Sequence, residues 1–211
     1  MRTQIAYLFF VAAVLAFGGL AGTAKGELIL GNGLDPPYRQ NGTVFNDQQT
    51  LKGMGLQMKS DAYTFDRFSV VLEYMSGQPQ ATGHIYADDG LSRPGVELMT
   101  LNAVQPLSGE QAYDFVPPSP FTLAANTKYW FVVSDGPTVG WFRWDRRDPT
   151  VNPTGVPADF VSYQLSEDGG AHWAYSSILC ATEVHGTYIP EPATLALVAL
   201  GGLALVRRRG A

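Results

Sequence analysis

A single cysteine, Cys180, stands in 211 residues, so no internal disulfide can staple the chain and no cysteine cluster can hold a metal. It sits in the apolar run Ile178-Leu179-Cys180-Ala181, where buried packing is the expected role and a surface thiol the other reading. No cysteine lies near Gly22-Thr23-Ala24, which excludes a lipoprotein anchor there. Histidine is nearly as scarce: His84, His172 and His185 fall in separate segments, none in a metal-ligand spacing. Gly-x-Ser-x-Gly is absent, so there is no nucleophile elbow, and phosphate-cradling glycine loops are missing too. A glycosidase would need two facing carboxylates. Glu73, Glu97 and Glu110 could serve, but any acidic chain offers such a set, and solvated strand or loop positions account for them. The chain reads as non-enzymatic, with no catalytic residues and no required cofactor.

Long apolar runs occur only at the two ends. Arg2, the stretch from Ile5 to Leu20 and the small residues Gly22-Thr23-Ala24 have the layout of a secretory signal peptide over residues 1–24, cleaved after Ala24. The other end carries Pro190-Glu191-Pro192, an uncharged run from Ala193 to Val206, and Arg207-Arg208-Arg209. As a helix, that run spans about 21 Å against a hydrocarbon core of about 30 Å, short for a permanent transmembrane helix. Three arginines directly after it resist translocation and hold that end on the cytoplasmic side. An amphipathic or core helix is the other reading, and apolar side chains on every face of the run speak against it.

Pro190-Glu191-Pro192 followed by Ala193-Thr194-Leu195-Ala196-Leu197, Gly201-Gly202-Leu203 and the arginine cluster resembles the PEP-CTERM sorting signal of Gram-negative bacteria. The resemblance covers residues 189–211. It implies an address: recognition by an exosortase, passage through an inner-membrane intermediate, processing near Pro190-Glu191-Pro192, and delivery to the cell surface or extracellular matrix of a cell that makes exopolysaccharide. The partners so implied are the exosortase and secretion machinery, with the membrane engaged through the helix at 193–206.

Between the ends, residues 25–188 are enough for one domain with a real core. Basic residues are sparse there. All 19 acidic residues lie from Glu27 to Glu191, while Arg2, Arg207, Arg208 and Arg209 belong to the ends, which leaves 10 positive charges and a net of about −9 from Lys25 to Glu191, against −5 for the whole chain. The only dense basic group, Arg143, Arg146 and Arg147, is interleaved with Asp145 and Asp148. Nucleic acid is therefore not a partner, because phosphate binding needs clustered Lys and Arg.

No amphipathic helical window survives the 23 glycines and 14 prolines. Alternation predicts strands at Phe65 to Glu73, Ala81 to Ala87 and Tyr129 to Val133. Further strands are expected at Val96 to Leu101, Tyr113 to Val116, Gly140 to Trp144, Phe160 to Leu165, His172 to Tyr175 and Glu183 to Ile189. Ahead of Thr50 the chain predicts one strand near Leu28-Ile29-Leu30 and otherwise loops, with Asn41-Gly42-Thr43 reading as a turn or, by pattern, a glycosylation sequon. Thr150 to Pro157 reads as a long loop. Many short strands joined by turns predict an all-β, antiparallel sandwich. Its connections are expected to be jelly-roll-like, an immunoglobulin-like order being indistinguishable by periodicity. Ser69-Val70-Val71-Leu72, His84-Ile85-Tyr86-Ala87-Asp88, Arg93-Pro94-Gly95 and Leu123-Ala124-Ala125-Asn126-Thr127-Lys128-Tyr129-Trp130 resemble the choice-of-anchor domains found beside such sorting tails. That resemblance implies a β-sandwich surface module and supplies no catalytic residues.

Three constellations remain. Ser166, Asp168, Gly170 and Trp173 fit Ser-x-Asp-x-Gly-x-x-Trp, similar to the Asp-box of sialidases and other extracellular β proteins, and read as a structural turn. Asp88 and Asp89, and Asp145 with Asp148, pair hard oxygen ligands in loops, the provision Ca²⁺ uses, although Asp-Gly pairs are also common turn chemistry. Trp141, Arg143 and Trp144 form the densest aromatic and charged cluster and the candidate glycan platform, with Trp141 and Arg143 on one strand face and Phe142 and Trp144 on the other. Capping of the sandwich by both tryptophans is the alternative. The expected function is that of an exported structural or adhesive protein; a carbohydrate-binding module contacting exopolysaccharide comes second and a glycoside-active enzyme third.

Overall fold

The computed structural model describes residues 26–137 and 139–190. The signal segment at 1–24, the apolar run at 193–206 and Arg207, Arg208 and Arg209 lie outside the described residues. Among the described residues every regular element is a strand, and no helix is long and apolar enough to cross a membrane.

Thirteen strands follow in order: β1 (Glu27–Gly31), β2 (Tyr38–Phe45), β3 (Leu51–Met58), β4 (Ala62–Gly77), β5 (Ala81–Asp88), β6 (Pro94–Val104), β7 (Glu110–Phe115), β8 (Phe121–Leu123), β9 (Lys128–Asp135), β10 (Gly140–Arg147), β11 (Ala158–Ser166), β12 (Ala174–Ser176) and β13 (Thr182–Ile189). They form two antiparallel sheets. One runs β1-β13-β4-β10-β2, with β7 and β8 also paired to the long β4; the other runs β12-β11-β3-β9-β5-β6. Most connections cross from one sheet to the other, the hairpins β5–β6 and β11–β12 staying within the second sheet.

Period-two burial makes the core. Phe68, Val70 and Leu72 of β4 and Tyr129, Phe131 and Val133 of β9 point inward, and their alternating neighbours point outward. Phe131 of the second sheet meets Phe65 and Phe68 of the first at centroid distances of 5.3 and 5.4 Å, and Trp144 meets Tyr163 across the same interior at 5.9 Å. Facing sheets that share one apolar interior are a sandwich. Phe45 stacks on Phe142 at 4.6 Å, closing the interior at β2.

Two strands go beyond the sequence pattern: β2, where Asn41-Gly42-Thr43 reads as a turn, and β3, where no strand is expected. At Gly42 a Cβ would lie 1.9 Å from the Trp144 carbonyl oxygen, beside a register shift between Trp144 and Arg146, so only glycine lets β2 approach β10. At Gly55 a Cβ would lie 2.8 Å from the Trp130 ring, which lies over the bare strand. The 150–157 segment is a loop with one bridge, Gly31 to Thr154.

Two charged positions break the core pattern. Lys52 of β3 is fully buried, its Nζ donating to Ser176 Oγ and lying 5.3 Å from the Tyr163 ring centroid. Asp145 of β10 is fully buried as well. Cys180 is buried, with Sγ 3.4 Å from the Trp144 carbonyl oxygen.

Candidate functional site

Strand pairing places a mixed aromatic and polar row on the outer face of the six-stranded sheet. Tyr175 stands opposite Gln164, Gln164 opposite Gly53, Gly53 opposite Val132, Val132 opposite His84 and His84 opposite Thr100. The adjoining row carries Gly55, Trp130, Tyr86 and Glu97. Trp130, Val132 and Leu51 form a small apolar cluster on this face, flanked by Tyr86, Val161 and Trp173. Trp130 is held down by its indole N–H, which donates to Asp88 Oδ2 at 3.0 Å.

The rings nearer solvent are Tyr86, Trp173 and Tyr175. Trp173 meets Tyr86 edge-on at 6.4 Å, and Tyr175 is 70% exposed. A fixed polar group lies beside Tyr86. His84 places Nδ1 2.9 Å from Glu97 Oε1 and Nε2 2.9 Å from Ser134 Oγ, and Thr100 donates to Glu97 Oε1 at 2.5 Å. Burial pushes the Glu97 carboxyl up, but the bonds from Thr100 and His84 outweigh it and hold the group below its ordinary range. Burial raises the Tyr86 hydroxyl to about 12, with Glu97 adding to the shift.

The Asp-box hairpin forms one end of this face. Ser166 Oγ accepts from Gly170 N at 2.9 Å and donates to Asp168 Oδ1 at 2.8 Å; Asp168 Oδ1 also accepts from His172 N at 2.9 Å. His172 Nδ1 lies 2.6 Å from Asp168 Oδ2. The backbone bond from His172, then its ring and Ser166, hold the Asp168 carboxyl down at about 2. Gly169 and Gly170 take φ of 70° and 91°, and Trp173 folds back toward the turn, where a Cβ on Gly170 would lie 3.9 Å from its ring. A cavity of about 340 Å³ opens here, lined by Leu165, Glu167, Asp168, His172, Trp173 and Ala174. The sequence pattern assigns these residues to a turn and does not bring Tyr86 to Trp173; the order of β11, β3, β9 and β5 does so.

The candidate platform Trp141, Arg143 and Trp144 does not assemble. Trp144 is 0% exposed, its Nε1 donating to the Ala181 carbonyl at 2.9 Å and its ring edge-on to Phe68 and Tyr163, so no ring face is open to a sugar. It shares the inward face with Phe142, as alternation requires. Arg143 is committed to Glu73 and to Asp145 Oδ1, the latter at 2.5 Å. Trp141 alone is exposed, at 48%.

The calcium candidates Asp88 and Asp89 have defined partners. Asp88 Oδ1 accepts from Gly90 N at 2.8 Å while Oδ2 takes the Trp130 indole, and Asp89 Oδ1 accepts from Leu91 N and Arg93 N at 2.7 and 3.2 Å. Both side chains act as turn acceptors. Asp145 lies on strand β10, and Asp148 lies just beyond its end.

No curated protein matches this chain. Among solved structures, the chain is similar to one described as the structure of infectious bursal disease virus, Gx strain, with 10% identity and a TM-score of 0.25. The match covers 89% of this chain and 51% of that one, so the chain spans about half its length, and so low a score says nothing about fold or role. The informative match is at the C-terminal end: residues 189–209 fit the family described as the PEP-CTERM protein-sorting motif, beginning on the last residue of β13. The chain carries a PEP-CTERM sorting motif and is an exported protein, sorted through an exosortase and processed at the membrane.

Proposed function

We propose that this chain is a non-enzymatic structural or adhesive component of the cell surface or extracellular matrix, built on a jelly-roll-like sandwich that the exosortase route delivers. One observation supports the reading above others: the body ends on the strand from which the address begins. β13 reaches Ile189, where the sorting motif starts, and β1 lies against β13 with Glu27 opposite Gly186. The sandwich is thus joined to both flanking segments along one edge of one sheet. The outer face of the other sheet stays clear of both junctions, the arrangement a tethered cargo needs.

Contact with exopolysaccharide is the second reading, favoured by the adjacent rings of Tyr86 and Trp173 beside the His84–Glu97–Ser134 group and by the exposed ring of Tyr175 at β12 on the same face. Ring faces stack on the apolar edges of pyranoses, and fixed polar atoms read hydroxyls. The test is retention of the purified protein on a panel of insoluble and matrix polysaccharides. An adhesive role through this face requires retention that Tyr175→Ala or Trp173→Ala lowers and Trp141→Ala leaves unchanged. No retention on any of them would leave a structural role alone.

A further inference from the structure

The opposite face of the molecule carries a second arrangement. On the outside of the seven-stranded sheet, register sets Val44 of β2, Arg143 of β10, Glu73 of β4 and Glu110 of β7 in one row: Arg143 stands opposite both Val44 and Glu73, and Glu73 opposite Glu110. Asp145, at the register shift between Trp144 and Arg146, joins this group through its Oδ1, 2.5 Å from Arg143 Nε. Glu73 and Glu110 are therefore like charges in direct cross-strand opposition, a pairing that destabilises a sheet unless something lies between them. Arg143 neutralises part of the charge through Glu73 and Asp145 Oδ1. Three carboxylates against one guanidinium still leave an excess of two negative charges when all are ionised.

Two further observations turn the cluster into a site. One oxygen each from Glu73, Glu110 and Asp145 lies within 4.8 Å of the other two, the span available to ligands at about 2.4 Å from a shared ion. Independently, Asp145 is 0% exposed and its second oxygen, Oδ2, has no hydrogen-bond partner. A buried carboxylate oxygen without a donor is costly, and Arg143 already faces the other oxygen. Tyr38, at the other end of the β2–β10 pairing, also feels this charge but leaves that oxygen unpartnered.

We propose that Glu73, Glu110 and Asp145 bind one Ca²⁺, with water completing the shell on the exposed Glu110 side. Oxygen-only ligands, all carboxylate, select a hard cation, and ligands drawn from three strands suit the loose geometry of Ca²⁺ better than the strict octahedron of Mg²⁺. The ion would tie β10, β4 and β7 together across the charged row. This site is separate from Asp88 and Asp89 and from the glycan-facing sheet, and it does not depend on the proposed adhesive role.

The test is isothermal titration of CaCl₂ into the full-length protein, stripped of divalent ions and held in detergent, with thermal melts alongside. The expected result is saturable binding of one Ca²⁺ per chain and a raised Tm, with Mg²⁺ at the same concentration much weaker. Glu110→Gln, on an exposed side chain whose loss should not disturb folding, is expected to weaken binding at least 10-fold, as is Asp145→Asn. Asp88→Asn should leave it unchanged. Absence of saturable binding at millimolar Ca²⁺ would overturn the proposal. So would parent-like binding by Glu110→Gln, or binding that Asp88→Asn abolishes.

Discussion

Replacing Lys52 by methionine should stabilise the protein at neutral pH. The ammonium group is fully buried on β3, with one hydrogen bond to Ser176 Oγ and the face of Tyr163 for company. Among the described residues no counter-ion compensates it: burial raises both the Cys180 thiol and the Tyr163 hydroxyl, which keeps these two titratable neighbours uncharged. Removing an ammonium from water carries an effective penalty of several kcal/mol. Against that, a charge-assisted hydrogen bond returns about 1.5–3 kcal/mol and a cation–π contact about 0.5–2 kcal/mol. Methionine keeps the length and apolar stem and removes the charge, so a gain of about 1–3 kcal/mol is expected. For a domain of this size that is about 2–4 °C in Tm per kcal/mol.

The pH dependence sharpens the test. Burial lowers the folded-state pKa of Lys52 below its ordinary 10.5, so between those two values the unfolded chain binds more protons than the folded one. The parent should therefore gain stability as pH rises through that window, while Lys52→Met lacks that contribution, and the gap between them should narrow. Chemical denaturation of both proteins at pH 7 and pH 10 measures this. A Lys52→Met protein less stable than the parent at pH 7, or a gap that widens toward alkaline pH, would refute the reasoning.

Other outcomes follow from the same geometry. Trp144→Ala should cost about 3–5 kcal/mol, whereas Trp141→Ala should fall within about 0.5 kcal/mol of the parent; equal effects in urea denaturation would mean the inward and outward faces of β10 are misassigned. Gly55→Ala should destabilise by about 1–3 kcal/mol, because its Cβ would meet the Trp130 ring, and an unchanged denaturation midpoint would contradict that packing. Asp168→Asn should lower the Tm at neutral pH. The Asp168 carboxyl is held at about 2, so its contribution is present above the ordinary carboxylate range and lost as pH falls through about 2; melts of variant and parent should converge there.

What the sequence disclosed, and what it hid, follow from the range of the interactions. β4 and β9 were legible because their alternation answers to one shared core. β3 was hidden because Gly53 and Gly55 have poor strand propensity and Lys52 points inward; those choices make sense only once Trp130 and Val132 of β9 lie alongside. β2 was hidden by Asn41-Gly42, a turn pair in isolation and a close approach to β10 in the fold. Alternation along β10 correctly separated Trp141 and Arg143 from Phe142 and Trp144, yet it could not say that Glu73 and Asp145 would claim Arg143. Glu73 and Glu110 were visible only as two unconnected acids, 37 positions apart in sequence, until β4 and β7 paired. The hairpin at Ser166 to Trp173 was readable because its bonds are local, whereas the contact of Trp173 with Tyr86 of β5 depends on the order of β11, β3, β9 and β5.

The central claim is that the C-terminal motif sends a folded sandwich out of the cell, and intact-mass analysis of the protein from fractionated cells tests it most directly. In cells with an active exosortase, the account predicts an exported species that has lost both the residues up to Ala24 and the segment beyond the Pro190-Glu191-Pro192 region. Without the enzyme, or with Arg207-Arg208-Arg209 replaced, a longer species should remain at the membrane. The same mass and the same fraction in all three strains would contradict the account.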